Sequence, residues 1–169
     1  MAIFDVKGPF EVPTMKLDTG IRAIDEDRAK IRKFWENTEI GDRHGCYVFA
    51  VWASRGYMPI YVGRATSSRF DIEVLNDRNI KNCNLTLAGR RRGTLWVFLL
   101  PIRKTRGKIN ANHISLVEEY LVGHAARKNK NLINTHLLPS NPWSITGLIN
   151  SGQGQPPIGA QELKRALGI

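Results

Sequence analysis

Cysteine is scarce in this 169-residue chain: there are two, Cys46 and Cys83, and neither belongs to a CxxC pair. That disfavours both a disulfide framework and a cysteine zinc site, and makes buried thiols the expectation. Long apolar runs are missing too. The longest strongly apolar stretch, Leu95 to Ile102, falls far short of the roughly 20 residues a membrane span requires, so no membrane partner is expected. The first residues, Met1-Ala2-Ile3-Phe4-Asp5, lack the charged start and apolar middle of a secretory leader, which predicts a cytoplasmic protein.

Acids thin out along the chain. Between Arg78 and Ile169 the only carboxylate side chains are Glu118, Glu119 and Glu162. Asp71, Glu73 and Asp77 sit close together, but no (D/E)-x-K motif follows them, so a two-metal centre is not expected. His44, His113, His124 and His136 show neither HExxH nor paired-ligand spacing, which argues against a zinc hydrolase and a histidine-dependent nuclease. No GxxxxGK(S/T) loop is present, which argues against P-loop nucleotide hydrolysis.

What remains is an ordinary globular composition, 42% apolar and 24% charged, at a length that predicts one domain with decorations. Its net charge of +10 is unevenly spread: residues 41–169 carry 18 basic against 7 acidic side chains. If those charges share a face, they attract polyanions and release counterions on binding, which makes nucleic acid the leading partner. A charge that merely keeps the chain soluble is the plainer alternative.

Residues 1–40 read as an irregular, Pro- and Gly-containing arm followed by a packing helix over Asp25 to Asn37, with acids in its first turn. Cys46 to Trp52 and Pro59 to Gly63 are β-branched and aromatic, two strands separated by Ser54 to Met58. A helix is predicted from Arg69 to about Lys81 behind the caps Thr66, Ser67 and Ser68. The basic turn Arg90-Arg91-Arg92 leads into a third strand over Thr94 to Leu100, buried on both faces by its composition. These arginines suit phosphate contact or a solvated hairpin tip equally, and Arg103, Lys104, Arg106 and Lys108 form a second basic connection. Residues 139–169 read as a tail with a short helix, Ala160 to Leu167, packed on the body.

Residues 112–127 form the most informative helix. Ile114, Val117, Leu121 and Ala125 fall in one narrow stripe at 100° per residue, with Glu118 at its margin and Glu119 turned toward water. A half-buried carboxylate needs a partner, so Glu118 predicts either a salt bridge or a metal ligand.

Gly45-Cys46-Tyr47, then Tyr61-Val62-Gly63-Arg64, then Arg69, Glu118 and Asn134, resembles the GIY-YIG endonuclease superfamily in order and in the elements that carry each motif. The resemblance spans about Gly45 to Leu138. Cys46 and Val62 replace the usual isoleucines, and the gap after Glu118 runs long enough that Asn131 competes with Asn134. It implies a catalytic core over residues 41–138, between an N-terminal arm and helix (1–40) and a C-terminal tail (139–169). The implied fold is α/β: a small, mostly antiparallel three-stranded sheet flanked by helices, with an N-terminal helical extension.

The implied activity is endonucleolytic hydrolysis of DNA, or of RNA, with one divalent ion, magnesium or manganese. Glu118 would hold the ion through one carboxylate, as a hard cation tolerates. The ion and Arg69 would stabilise the extra charge of the phosphorane, with Gly63, Arg64, Arg90, Arg91 and Arg92 contacting the substrate. Tyr47 is the first choice for general base and Tyr61 the second; either phenol, with an ordinary pKa near 10, must be shifted down by the cations. Asn134 completes the set. One site cuts one strand, so a double-strand break calls for a homodimer or two events. The competing expectation is a non-catalytic nucleic-acid-binding module on the same fold.

Overall fold

Residues 45–51 alternate Cys46, Val48 and Ala50 with Tyr47, Phe49 and Val51, apolar on both parities, as a strand covered on both faces must be. The computed structural model, which describes residues 2–53, 56–90, 93–103, 109–134, 143–148 and 155–169, places this segment inside the central sheet. In chain order the elements are β1 (Ala2–Phe4), β2 (Lys7–Glu11), β3 (Thr14–Lys16), β4 (Arg22–Ile24), α1 (Arg28–Thr38), β5 (Gly45–Ala53) and β6 (Gly56–Ala65). There follow α2 (Phe70–Glu73), α3 (Asp77–Ala88), β7 (Thr94–Pro101), α4 (Ala111–Lys128), β8 (Trp143–Ile145) and α5 (Ile158–Leu167).

The protein is α/β, and its main sheet has four strands in the order β2-β7-β5-β6, all antiparallel, where the sequence predicts three. The fourth is β2, drawn from the arm expected to be irregular. Gly8 and Pro9 hide it in the sequence, and both are tolerated because β2 lies at the sheet edge and its register shifts between Lys7 and Phe10. The rest of the arm is also ordered: β3 pairs with β4, and β1 pairs in parallel with β8.

Each face of the sheet carries its own core. Cys46, Val48, Ala50, Phe98 and Leu100 pack against Ile114, Val117 and Leu121 of α4 and Ala160 and Leu163 of α5. Tyr47, Phe49, Val51, Val97 and Leu99 pack on the other face against Phe34 of α1, Phe70 of α2 and Ile80, Cys83 and Leu87 of α3. Both cysteines are free and buried, as expected.

Several boundaries differ from expectation. The α1 helix begins after its acids: the Asp27 carboxylate caps the N–H groups of Ala29 and Lys30, while Asp25 binds Lys30. β6 is longer than Pro59 to Gly63 because Gly56, Tyr57 and Met58 continue the ladder with β5. The helix predicted from Arg69 is two helices, since Asn76 accepts from the Asn79 N–H and starts α3 afresh. No helix among the described residues is long and apolar enough to cross a membrane.

Candidate active site

Tyr47 stands opposite Gly63 and Phe49 opposite Tyr61 across the β5–β6 ladder, which makes the two tyrosines diagonal neighbours on one face. Their ring centroids are 6.2 Å apart, at an interplanar angle of 40°. Both glycines of the two short motifs answer to packing. A Cβ on Gly63 would lie 2.4 Å from the Tyr47 Oη, and one on Gly45 would lie 2.0 Å from the Leu100 carbonyl oxygen. Cys46 points to the opposite face, where its thiol donates to the Ile114 carbonyl.

A cavity of about 850 Å³ opens beside this pair. Its walls bring together Tyr47 and Tyr61 from the sheet, Arg78 and Asn82 from α3, Glu118 and Glu119 from α4, and Asn134. Arg64, Thr66, Ser67 and Glu73 complete much of the rim. Glu119, expected to face water, therefore shares the cavity with Glu118. The Ile114, Val117, Leu121 and Ala125 stripe is buried as the helical period predicts, which leaves the Glu118 side chain 20% exposed at its margin. There its Oε2 lies 3.2 Å from Arg64 Nη1, and the same nitrogen donates to Ser115 Oγ at 2.8 Å. Glu118 thus has the salt-bridge partner anticipated for it, on the cavity wall.

Asn134, rather than Asn131, reaches the cavity. Its Nδ2 donates to the Val62 carbonyl at 2.6 Å and its Oδ1 accepts from the Val62 N–H at 3.3 Å. The exposed Asn131 instead donates its backbone N–H to Asn129 Oδ1. Neighbouring bonds from Asn129 Nδ2 to the Pro59 carbonyl and from the Ile133 N–H to the Ile60 carbonyl fasten this segment along β6.

Arg69 is not among the residues lining the cavity. It precedes α2 instead of lying within a helix, and its guanidinium grips the Asp71 carboxylate at 3.1 and 2.8 Å. The arginine the structure brings to the phenols is Arg78, in the first turn of α3, and no described residue pairs with its guanidinium. The signal for it lay in the helix break. With Asn76 as a cap, α3 starts at Asp77, and Arg78 and Asn82, four apart, share a face beside the buried stripe of Asn79, Ile80, Cys83 and Leu87.

Arg90 follows the far end of α3, roughly three helical turns from Arg78, and does not line the cavity. Arg91 and Arg92 lie outside the described residues, as do Lys104, Arg106 and Lys108. Arg103 holds Asp5 through a bidentate pair at 2.7–3.0 Å, a structural tie between its loop and the N-terminal arm.

The electrostatics oppose phenol ionisation. Burial, joined by the negative charges of ionised Tyr61, Glu73 and Glu118, holds Tyr47 far above the ordinary phenol range despite a hydrogen bond from Asn79. Burial also raises Tyr61, with Glu118 and Glu73 adding to the rise, while Arg78 and the neighbouring Tyr47 hydroxyl pull it back. The downward shift expected of the cations is thus not achieved by the protein's own charges.

For a divalent cation the cavity offers hard oxygen donors: Glu118 and Glu119 from α4, with Glu73 opposite. Among the described residues no group of three His, Cys, Asp or Glu side chains is placed to hold a metal. A cation here would rest on one carboxylate and fill its other positions with water and phosphate oxygens, an arrangement magnesium accepts and zinc seldom does. No family model, curated protein or solved structure matches this chain.

Proposed function

We propose that this chain is a GIY-YIG-type endonuclease that hydrolyses DNA phosphodiester bonds with one divalent ion, magnesium or manganese. The observation that carries the reading is the convergence of Tyr47, Tyr61, Arg78, Glu118 and Asn134, from separate segments of the chain, on a single cavity. Composition alone would scatter them: strand tyrosines usually pack, and helix arginines usually face water.

The chemistry follows from the groups. One ionised phenol would take a proton from the attacking water as its oxygen bonds to phosphorus. Arg78, unpaired by any described residue, would meet the charge that grows on the non-bridging oxygens, where a preorganised donor is worth about 10²–10³ in rate. Arg64 would leave Glu118 for the incoming phosphate, which its exposed position allows. Glu118, relieved of that guanidinium, would hold the cation. Bound there, the cation would supply positive charge to the phosphate and leaving oxygen.

A second reading has its own support. With Glu118 paired to Arg64 and both phenols protonated, the same cavity, with Arg64 and Arg78 on its wall, also suits a module that binds nucleic acid without cutting it. Incubating supercoiled plasmid with the protein, with and without magnesium or manganese, separates the two. Nicked or linear product only with the divalent ion is expected; tight binding with intact plasmid under every ion would establish the module. RNA of matched length in the same assay settles which polymer is preferred.

A further inference from the structure

A second concavity, of about 510 Å³, lies between the β3–β4 hairpin and α3, and it shares no lining residue with the candidate active site. Asp77, Lys81, Asn84 and Leu85 line it because they fall in one stripe of α3 at helical spacing. Its apolar wall joins Leu17 and Ile21, at the hairpin turn, to Ile80 and Leu85 of the helix. A hydrogen bond of 2.8 Å from the Ile24 N–H to Asn84 Oδ1 fastens hairpin to helix, so the groove is built into the fold. Its apolar rim is open to water: Leu85 is 68% exposed and Leu17 40%. Met15, also exposed, stands opposite the groove residue Ala23 in the β3–β4 ladder and extends the same face. Exposed apolar surface rimmed by polar residues marks an interaction site.

The rim says what kind of partner fits. Arg22 and Lys81 stand there with Glu26 and Asp77, all four exposed, and none forms an ion pair with a described residue. The groove is therefore edged by balanced charge on a chain whose net charge is +10. Copies of so basic a molecule repel one another, and a neutral patch is where they can meet. An acidic or a basic partner would be matched best by a rim of one sign, whereas both signs in equal number suit a surface that must complement itself.

We propose that this groove docks a second copy of the chain as a two-fold dimer. In such a pair the same patch faces itself, so an acid of one copy meets a base of the other and every such pairing occurs twice. Leu85 of each copy lies against the apolar wall of its partner's groove, and both leave water together. Arg78 and Asn82, on the adjoining flank of α3, belong to the active-site cavity and take no part. The proposal therefore stands whether or not the protein cuts nucleic acid.

Sedimentation of the full chain over a concentration series tests it. The unmodified protein should pass from monomer to dimer as its concentration rises. Leu85→Glu, an exposed change to another good helix former, should weaken the dimer about tenfold or more, the worth of one apolar anchor. Charge reversal supplies a test that only a self-complementary surface passes. Arg22→Glu with Lys81→Glu makes the rim wholly acidic, and Glu26→Lys with Asp77→Lys makes it wholly basic. Each double variant should be monomeric by itself, and the two mixed should form a one-to-one heterodimer. Unmodified protein that stays monomeric up to about 1 mM overturns the proposal. So does a dimer that Leu85→Glu leaves intact, or a mixture of the two folded charge variants that does not associate. If a charge variant fails to fold, the unmodified protein and Leu85→Glu decide. A monomer that binds an apolar dye, lost in Leu85→Glu, would assign the groove to a different partner and overturn the dimer.

Discussion

The ring of Tyr47 lies across Gly63, so close that a single added carbon on Gly63 would sit 2.4 Å from the phenol oxygen. Space, and not backbone freedom, is what the glycine provides. Gly63→Ala should therefore displace the phenol and cost about 1–3 kcal/mol, in the range of overpacked cores. A fall in thermal midpoint together with loss of plasmid nicking is the expected result. An alanine variant of unchanged stability and activity would mean that the ring has room to move.

Arg78 and Arg69 make opposite predictions. Arg78→Ala should reduce the cleavage rate by about 10²–10³, and Arg78→Lys should recover part of it, because lysine keeps the charge without the fork. Arg69→Ala removes a partner of Asp71 at the surface and should leave the rate within about threefold. Initial rates of nicking, measured side by side, check both. A larger loss at Arg69 would restore the order of motifs read from the sequence.

Glu118→Gln removes the carboxylate charge and keeps the shape. Cutting should stop, while affinity for a fluorescent duplex should hold or increase, since one of the three negative charges lining the cavity has been removed. Arg64→Ala should weaken that binding and reduce its log–log salt slope by about one, as the loss of a phosphate contact does. Fluorescence anisotropy across a salt series measures both.

The buried phenols also set a pH dependence of stability. Tyr47 holds its proton more tightly folded than unfolded, because burial raises it. Its contribution is therefore complete below the unfolded value of about 10 and is lost as pH climbs above it. Urea midpoints should decline above about pH 10, and Tyr47→Phe should flatten that decline. The cleavage rate should move the other way, rising with pH through the neutral range as the phenolate fraction grows.

The α4 helix and the inner strands were legible because their patterns are clean, whereas the segment after Arg69, expected as one helix, is two. Ile114, Val117, Leu121 and Ala125 repeat at helical spacing and are all buried, and β5 and β7 are apolar on both parities. β2 was not legible, since Gly8 and Pro9 are turn formers that only an edge strand with shifted register accommodates. Of the residues that line the cavity, Tyr47, Tyr61, Glu118 and Asn134 are the ones singled out by their order along the chain. Arg78 was missed because the break at Asn76 carries no proline or glycine; it depends on an amide accepting from the Asn79 N–H. Asn79 was invisible for a different reason. Its partner is a phenol 32 positions away, and nothing local marks a side chain that faces inward only to hydrogen-bond.

The amides of Asn129 and Asn134, with the Ile133 N–H between them, occupy the outer border of β6. The opposite border, β2, is interrupted by Pro9 and its shifted register. Among the described residues, the middle of β6 is covered by these bonds and β2 is broken at Pro9, which shortens the run that a neighbouring polypeptide could extend. If the proposed nuclease severs both strands of a duplex as a pair, the two molecules are expected to meet through helices and side chains, or through the duplex itself, with each sheet a private scaffold.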